Sequence, residues 1–228
     1  MKMVSPPSSG VYRVGRNDRP AFSFPDWEDS GSHRFDDPLR GPVFDESTNY
    51  NVIYCSSSLE GSYVETMQGL RVGLATVAGT ELFEPLRSVT DGRVTKRWQS
   101  RRSWARGQTF TTGLFVDVSS AETISVLRSE SSVAAQALQL GLHDIDVSAL
   151  TGPHRSFTQF VSRYMFELLP DCAGIRYVSR FGTDRDYECW ALFEGRLEME
   201  VLEAGSIDDV KELAFFRAVA LLNLTVEA

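Results

Sequence analysis

Residues 156–193 read SFTQFVSRYMFELLPDCAGIRYVSRFGTDRDYECWALF, and this stretch decides the fold class. Phe157, Phe160, Val161, Tyr164, Met165 and Leu168 recur at i, i+3, i+4, i+7, i+8 and i+11, the apolar stripe of an α-helix. The spacing predicts a helix over 156–169. Pro170 ends it, because proline has no amide hydrogen to continue the ladder. Two short apolar runs follow, GIRYVS at 174–179 and CWALF at 189–193, separated by the polar FGTDRDYE; they read as two strands joined by a loop. A helix beside paired strands predicts an α+β domain.

Working outward, YNVIYCS at 50–56 is β-branched and aromatic and reads as a buried strand, followed by helical spacing broken by glycines over 59–72. LFVDV at 114–118 alternates as a strand, and Ser120 followed by AETISVLR reads as a capped helix to 128. Near the C-terminus Ser206-x-x-Asp209 resembles a capping box before a helix reaching about 224, with Ile207, Val210, Leu213, Phe216, Ala220 and Leu224 as its expected buried face. Residues 1–10, rich in Pro and Ser, are expected to be a loose tail. From 11 to about 49 isolated aromatics stand among Pro, Gly, Asp and Ser, a pattern of long loops pinned by rings. No repeat or interdomain linker interrupts the chain, so 11–228 is expected to be a single domain.

The composition excludes several classes. With 228 residues, 42% hydrophobic and 24% charged, the chain is neither disordered nor fibrous. Its 31 acidic against 23 basic side chains leave a net charge of −8, which disfavours non-specific binding to nucleic acid and makes any anion site a local one. Cys55, Cys172 and Cys189 are odd in number and lack C-x-x-C spacing, so neither a disulfide framework nor a zinc ribbon is expected. The segment MKMVSPPSSG lacks the apolar core of a signal peptide, and no run of 18 apolar residues occurs. A cytoplasmic protein is the expectation.

Generic catalytic signatures are silent: there is no P-loop, no G-x-S-x-G and no H-E-x-x-H. His33, His143 and His154 are scattered, and no metal is expected. What remains is a set of polar residues at the edges of apolar runs. Arg13 lies in VYRV and Arg34 in HRFDDP; an arginine beside a ring can grip a pyrophosphate with its forked donors, or can pair structurally with Asp36 or Asp37. Tyr54 closes the strand NVIY, Glu65 follows eleven residues later, and Ser179 ends another strand in YVSRF. A separate segment, RVTKRWQSRRSWAR at 93–106, holds six cations and two tryptophans without an acid. It reads either as a surface that covers phosphates, binds an acceptor or contacts nucleic acid, or as a solvated excursion with its tryptophans on the core.

Taken in order, VYRV, RFDDP, NVIYCSSS, the downstream Glu65, GIRYVSRF and CWALFE resemble the RES domain family over roughly residues 10–195. The resemblance implies an ADP-ribosyltransferase-like fold, two small packed β-sheets with flanking helices and a cleft for NAD. It implies a toxin of a toxin–antitoxin pair that breaks the nicotinamide–ribose bond of NAD, as a glycohydrolase or a phosphorylase, partnered by a helix-turn-helix (Xre-type) antitoxin. The family's Arg, Glu and Ser fall on Arg34, Glu65 and Ser179, with Arg13 and Tyr54 at further positions lining the same cleft. Two features stand outside the family pattern: the basic segment, an insertion near 93–112, and the helix 206–224, which completes the core or forms a dimer face.

The chemistry supports those roles independently. Loss of nicotinamide builds oxocarbenium charge on the ribose, so the site needs an anion near the sugar and cations at the pyrophosphate. Glu65 suits the first task, Arg34 and Arg13 the second; Tyr54 suits stacking on nicotinamide, and Ser179 the orientation of Glu65 or the ribose. Nicotinamide leaves neutral, so no general acid is needed. Two alternatives stand beside this reading: an ADP-ribosyltransferase using the same cleft, and a non-catalytic binding module in which Arg34 and Glu65 form an ion pair.

Overall fold

The computed structural model describes residues 1–29, 31–39, 45, 48–72, 91–109, 113–181, 187–207 and 213–227. Within them the chain is α+β. The strands are β1 (Met3–Val4), β2 (Val11–Arg16), β3 (Val52–Ser56), β4 (Arg93–Val94), β5 (Arg102–Thr109), β6 (Leu114–Asp117), β7 (Cys172–Val178), β8 (Glu188–Phe193), β9 (Met199–Ser206) and β10 (Thr225–Val226). The helices are α1 (Leu59–Met67), α2 (Lys96–Ser100), α3 (Ala121–Ser129), α4 (Ser131–Gln139), α5 (Val147–Thr151), α6 (Arg155–Leu168) and α7 (Leu213–Leu221).

Eight strands form one mixed sheet in the order β1-β6-β7-β8-β3-β2-β5-β9, and β10 pairs with β4 in a two-stranded ribbon. The layout is therefore one large sheet and one ribbon among the described residues, where the family resemblance implied two small sheets. Inside the large sheet β6 and β7 are parallel and the other neighbours antiparallel. A parallel pair needs a long crossover, and α3 to α6 occupy it. They cover one face of the sheet, where Leu127, Val133, Phe157, Val161 and Met165 meet Val116, Ile175, Ala191 and Phe193. Further along that face α1 and α7 pack Tyr63, Val64, Met67, Phe215 and Val219 on Val14 and Trp104. The reverse face buries Val11, Ile53, Cys55, Phe115, Trp190 and Leu192 under Phe22.

Several expectations need correction. The tail is partly ordered: β1 pairs Met3 with Val116 and Val4 with Phe115, because β6 offers an open edge and Met1 and Met3 pack on the core below it. The region 11–49 contains β2, whose alternation VYRVGR is short enough to pass for a loop. The basic segment is no insertion. Its second half is β5, bonded to β2 on one side and β9 on the other, with Trp104 buried and Arg102 laid over Trp98 at 4.6 Å; residues 110–112 lie outside the described residues. Ser206 ends β9 opposite Ser103, and Asp209 and Val210 lie outside the described residues. The last helix is Leu213–Leu221, and it buries Phe215, Ala218 and Val219 while Leu213 and Phe216 face outward. Apart from Arg217 its sequence LAFFRAVAL is apolar, so periodicity selects a face only weakly.

Candidate active site

Arg34 belongs to a turn gripped by α6 through four polar side chains. Thr158 Oγ1 donates to Arg34 O at 2.7 Å, Gln159 Nε2 to His33 O at 2.8 Å, Ser162 Oγ to Phe35 O at 2.8 Å, and Arg163 pairs with Asp37 at 3.2 Å. From the sheet, Tyr54 OH accepts from Phe35 N and donates to Asp36 Oδ1, each at 2.9 Å. Asp36 Oδ2 accepts from Gly31 N and His33 N, each at 2.8 Å. Both aspartates are thus engaged by the turn and by Arg163, and neither pairs with Arg34. Instead Arg34 Nη1 donates to Leu150 O and Gly152 O, both at 3.2 Å, carbonyls at the C-terminal end of α5. Burial lowers the pKa of its guanidinium, and the like charge of Arg180 acts in the same direction, while Tyr177 and Glu65 oppose them. Arg34 stays charged all the same.

Glu65 arrives on α1, which follows β3. β2 and β3 share one register pair, Tyr12 with Ser56, and α1 enters beside them. Ser62 Oγ accepts from Val14 N at 2.8 Å, supplying a buried backbone donor with a partner. The helix is capped by Ser58, whose Oγ accepts from Gly61 N at 3.0 Å. A Cβ on residue 61 would stand 2.4 Å from Ser56 Oγ, so only glycine lets α1 approach β3 this closely. Tyr63, Val64 and Met67 turn inward and leave Glu65 half-buried.

Both carboxylate oxygens of Glu65 have donors. Ser179 Oγ donates to Oε1 at 2.5 Å and Gln68 Nε2 to Oε2 at 3.2 Å. Ser179 is buried at the end of β7, its amide donates to Tyr187 O at 2.9 Å, and its Oγ accepts from Phe181 N at 3.2 Å. With one lone pair of the hydroxyl so engaged, its hydrogen points to Glu65. Gln68 Oε1 in turn accepts from the exposed Arg180 at 3.4 Å, and Arg180 and Arg71 both lie over the ring of Phe181, at 5.0 and 5.3 Å. Between Arg34 and Glu65 the floor is uncharged. Burial raises the phenols of Tyr54 and Tyr177 and the thiol of Cys189 well above their ordinary values, and the Glu65 charge adds to this at Tyr177 and Cys189. The Arg34 guanidinium lies 6.0 Å from the centre of the Tyr177 ring.

The structure therefore brings Arg34, Tyr54, Glu65 and Ser179 to one face of the sheet. Arg34 and Glu65 make no ion pair, so the bond expected of a purely structural module is missing. Arg13 is not with them. Paired residues of antiparallel strands point to the same side, so Tyr12 shares the face of Ser56 and of Tyr54 two residues earlier, and Arg13 takes the opposite face. There it donates to Ala21 O and Ser23 O and lies near Cys55. Its role is to hold a loop, which corrects the expectation that it lines the cleft. Tyr54 is present, with its hydroxyl engaged by Asp36 and Phe35 N and its ring 5.4 Å from that of His33.

Four residues of the site were not anticipated: Asp36 as the anchor of the turn, Gln68, Tyr177 and Arg180. Two of them carried a signal. Tyr177 stands two residues before Ser179 on a strand, hence on the same face, and Gln68 stands three after Glu65 at the end of its helix. Among the described residues no group of His, Cys, Asp or Glu side chains gathers as a metal site.

The RES domain family model matches residues 11–210. Neither a curated protein nor a solved structure matches the chain. The match runs through every element that carries the site, from the turn of Arg34 and helix α1 to the end of β7. This chain belongs to the RES domain family.

Proposed function

We propose that the chain breaks the nicotinamide–ribose bond of NAD, with water or inorganic phosphate as acceptor, and acts as the toxin of a toxin–antitoxin pair. The family is associated with NAD as substrate, with toxin-like function and with Xre-type antitoxins. The observation that carries the reading is the Glu65 carboxylate, held by Ser179 at 2.5 Å and facing a desolvated Arg34 that has no acidic partner among the described residues. A fixed anion and a fixed cation separated by an uncharged aromatic floor suit a dinucleotide whose sugar gains positive charge while its phosphates remain negative.

In this proposal the C1′–N bond of the nicotinamide riboside breaks with its electron pair passing to the pyridine nitrogen, which leaves neutral. Glu65 stabilises the oxocarbenium charge left on the ribose. An acceptor oxygen then bonds to C1′; if the acceptor is water, its surplus proton goes to solvent. Ser179 and Gln68 keep the carboxylate from rotating, so its charge is preorganised rather than recruited. Arg34 engages the pyrophosphate, with Arg180 adding positive potential from the rim.

The test incubates purified protein with NAD, with and without phosphate, and measures nicotinamide release beside transfer of label to protein. Free nicotinamide from the wild type is expected, with little label on protein. Glu65→Gln keeps the shape and the Ser179 contact but loses the charge, so nicotinamide release should fall by roughly two orders of magnitude or more, a barrier increase of about 2.7 kcal/mol, with NAD binding retained. Intact NAD with the wild type, or undiminished turnover in the variant, refutes the proposal.

A further inference from the structure

Helix α7 has a single charged residue, Arg217, and buries one side only. Its outer side presents Leu213, Phe216, Ala220 and Leu221, at i, i+3, i+7 and i+8, with Leu213 61%, Phe216 47% and Leu221 37% exposed, and among them, at i+4, Arg217, which reaches toward Glu60 at 3.8 Å. A helix with so few polar residues is normally enclosed on most sides, and apolar side chains gathered on an exposed face mark a contact surface. Beside Phe216 a groove of about 640 Å³ opens between α7 and α2, with buried Phe215 at its floor. Its far wall carries Lys96 and Arg97, both exposed and without an ion-pair partner among the described residues, and Arg101 follows one turn later, also exposed. Among the described residues the one acid lining the groove, Glu227, accepts from Lys96 N at 2.8 Å and so is turned onto the start of α2. On a chain of net charge −8 this is a local positive rim around an apolar slot.

We infer that α7 and α2 form a docking face for an amphipathic α-helix of another protein, one with acidic residues flanking its apolar stripe. Apolar side chains of such a helix fill the slot beside Phe216, and its carboxylates meet Lys96 and Arg97. Charge argues against a second copy of this chain, since a twofold pairing through α7 sets the same basic rim on both partners. Shape argues against a bilayer, because a flat surface touches the Phe216 ridge and leaves the groove empty. Nothing in this inference depends on Glu65 or on NAD.

The test titrates the full chain into a labelled helical peptide carrying leucines at i, i+3, i+4 and i+7 with glutamates on either flank, and into a peptide of equal composition with its leucines dispersed. The patterned peptide should bind at least tenfold more tightly. Phe216→Glu should weaken it about tenfold or more, and the double change Lys96→Glu with Arg97→Glu should weaken it and remove most of its salt dependence, with circular dichroism and nicotinamide release unchanged in both variants. Sedimentation, phosphatidylglycerol vesicles and single-stranded DNA complete the comparison. Equal or absent binding of the two peptides, a dimer broken by Phe216→Glu, or a preference for vesicles or DNA overturns the inference.

Discussion

Glu65 owes its orientation to one local donor, Gln68 at the end of the same helix, and one distant donor, Ser179, more than a hundred residues later. Removing either should act on the chemistry more than on binding, whereas Arg34 should act on binding. Ser179→Ala leaves Oε1 of a half-buried carboxylate without its donor and free to turn, so kcat for nicotinamide release should drop about tenfold with little change in KM. Arg34→Ala removes a cation without an acidic partner among the described residues and should raise KM at least tenfold with a smaller effect on kcat. Steady-state kinetics of the two variants check this split, and the reverse pattern would exchange the two roles. The Glu65–Ser179 contact was not legible from spacing, because each residue alone looks like any polar residue at the end of an element; only their ordered occurrence with RFDDP and YCS pointed to one pocket. Arg13 differs in that its neighbours along the chain do not fix its face. Its face follows from alternation only once Tyr12 is known to pair with Ser56, and a register between strands some forty residues apart is a tertiary fact.

At the scale of elements, the segments read correctly are those whose pattern is enforced locally. Helix α6, the Ser120 cap of α3 and strands β3, β7 and β8 appear within a residue or two of expectation, because each has a stripe, a cap or a run of β-branched residues. β5 was missed because its charges mask it: Arg106 pairs with Glu203 at 3.3 Å and Arg102 stacks on Trp98, so both cations sit in a sheet without facing bulk water alone. Close backbone approach sets a further requirement that no periodicity shows. At Gly174 of β7 a Cβ would stand 2.0 Å from Ala191 O on β8, a backbone atom that cannot move without breaking the ladder, and 2.9 Å from Phe115. Gly174→Ala should therefore destabilise the protein by about 3 kcal/mol or more, and because β7 carries Tyr177 and leads into Ser179, nicotinamide release should fall with it. Urea unfolding of the variant measures the first effect; a loss below about 0.5 kcal/mol, the range of neutral surface changes, would show that the strands part more easily than this packing allows.

Over the whole molecule the sheet separates two kinds of interior, an apolar reverse face with Cys55 beside Arg13 and a polar-edged face with Tyr54, Tyr177 and Cys189 around the site. Both bury weak acids in their neutral forms. Burial pushes the Cys55 thiol from 9.0 up to about 12, and it also raises Cys172, Cys189, Tyr54 and Tyr177. In each case the folded pKa lies above the unfolded one, so the stabilisation is complete below the unfolded value and declines above it. As pH climbs past about 9 the unfolded chain gives up thiol protons that the folded chain keeps; it then binds fewer protons, and stability falls with slope 2.303RT per group, about 1.4 kcal/mol per pH unit for each fully shifted thiol. Neutral solutions should leave all three cysteines unreactive, since the thiolate is the nucleophile and each thiol is buried. Urea midpoints measured from pH 7 to 10.5 should hold level up to about pH 8.5 and then decline steeply, with labelling by iodoacetamide rising in step with the unfolded fraction. Flat midpoints across that range, or thiol labelling of the folded protein at pH 8, would mean that these groups meet water in the native state and that the floor beneath Arg34 and Glu65 is open rather than closed.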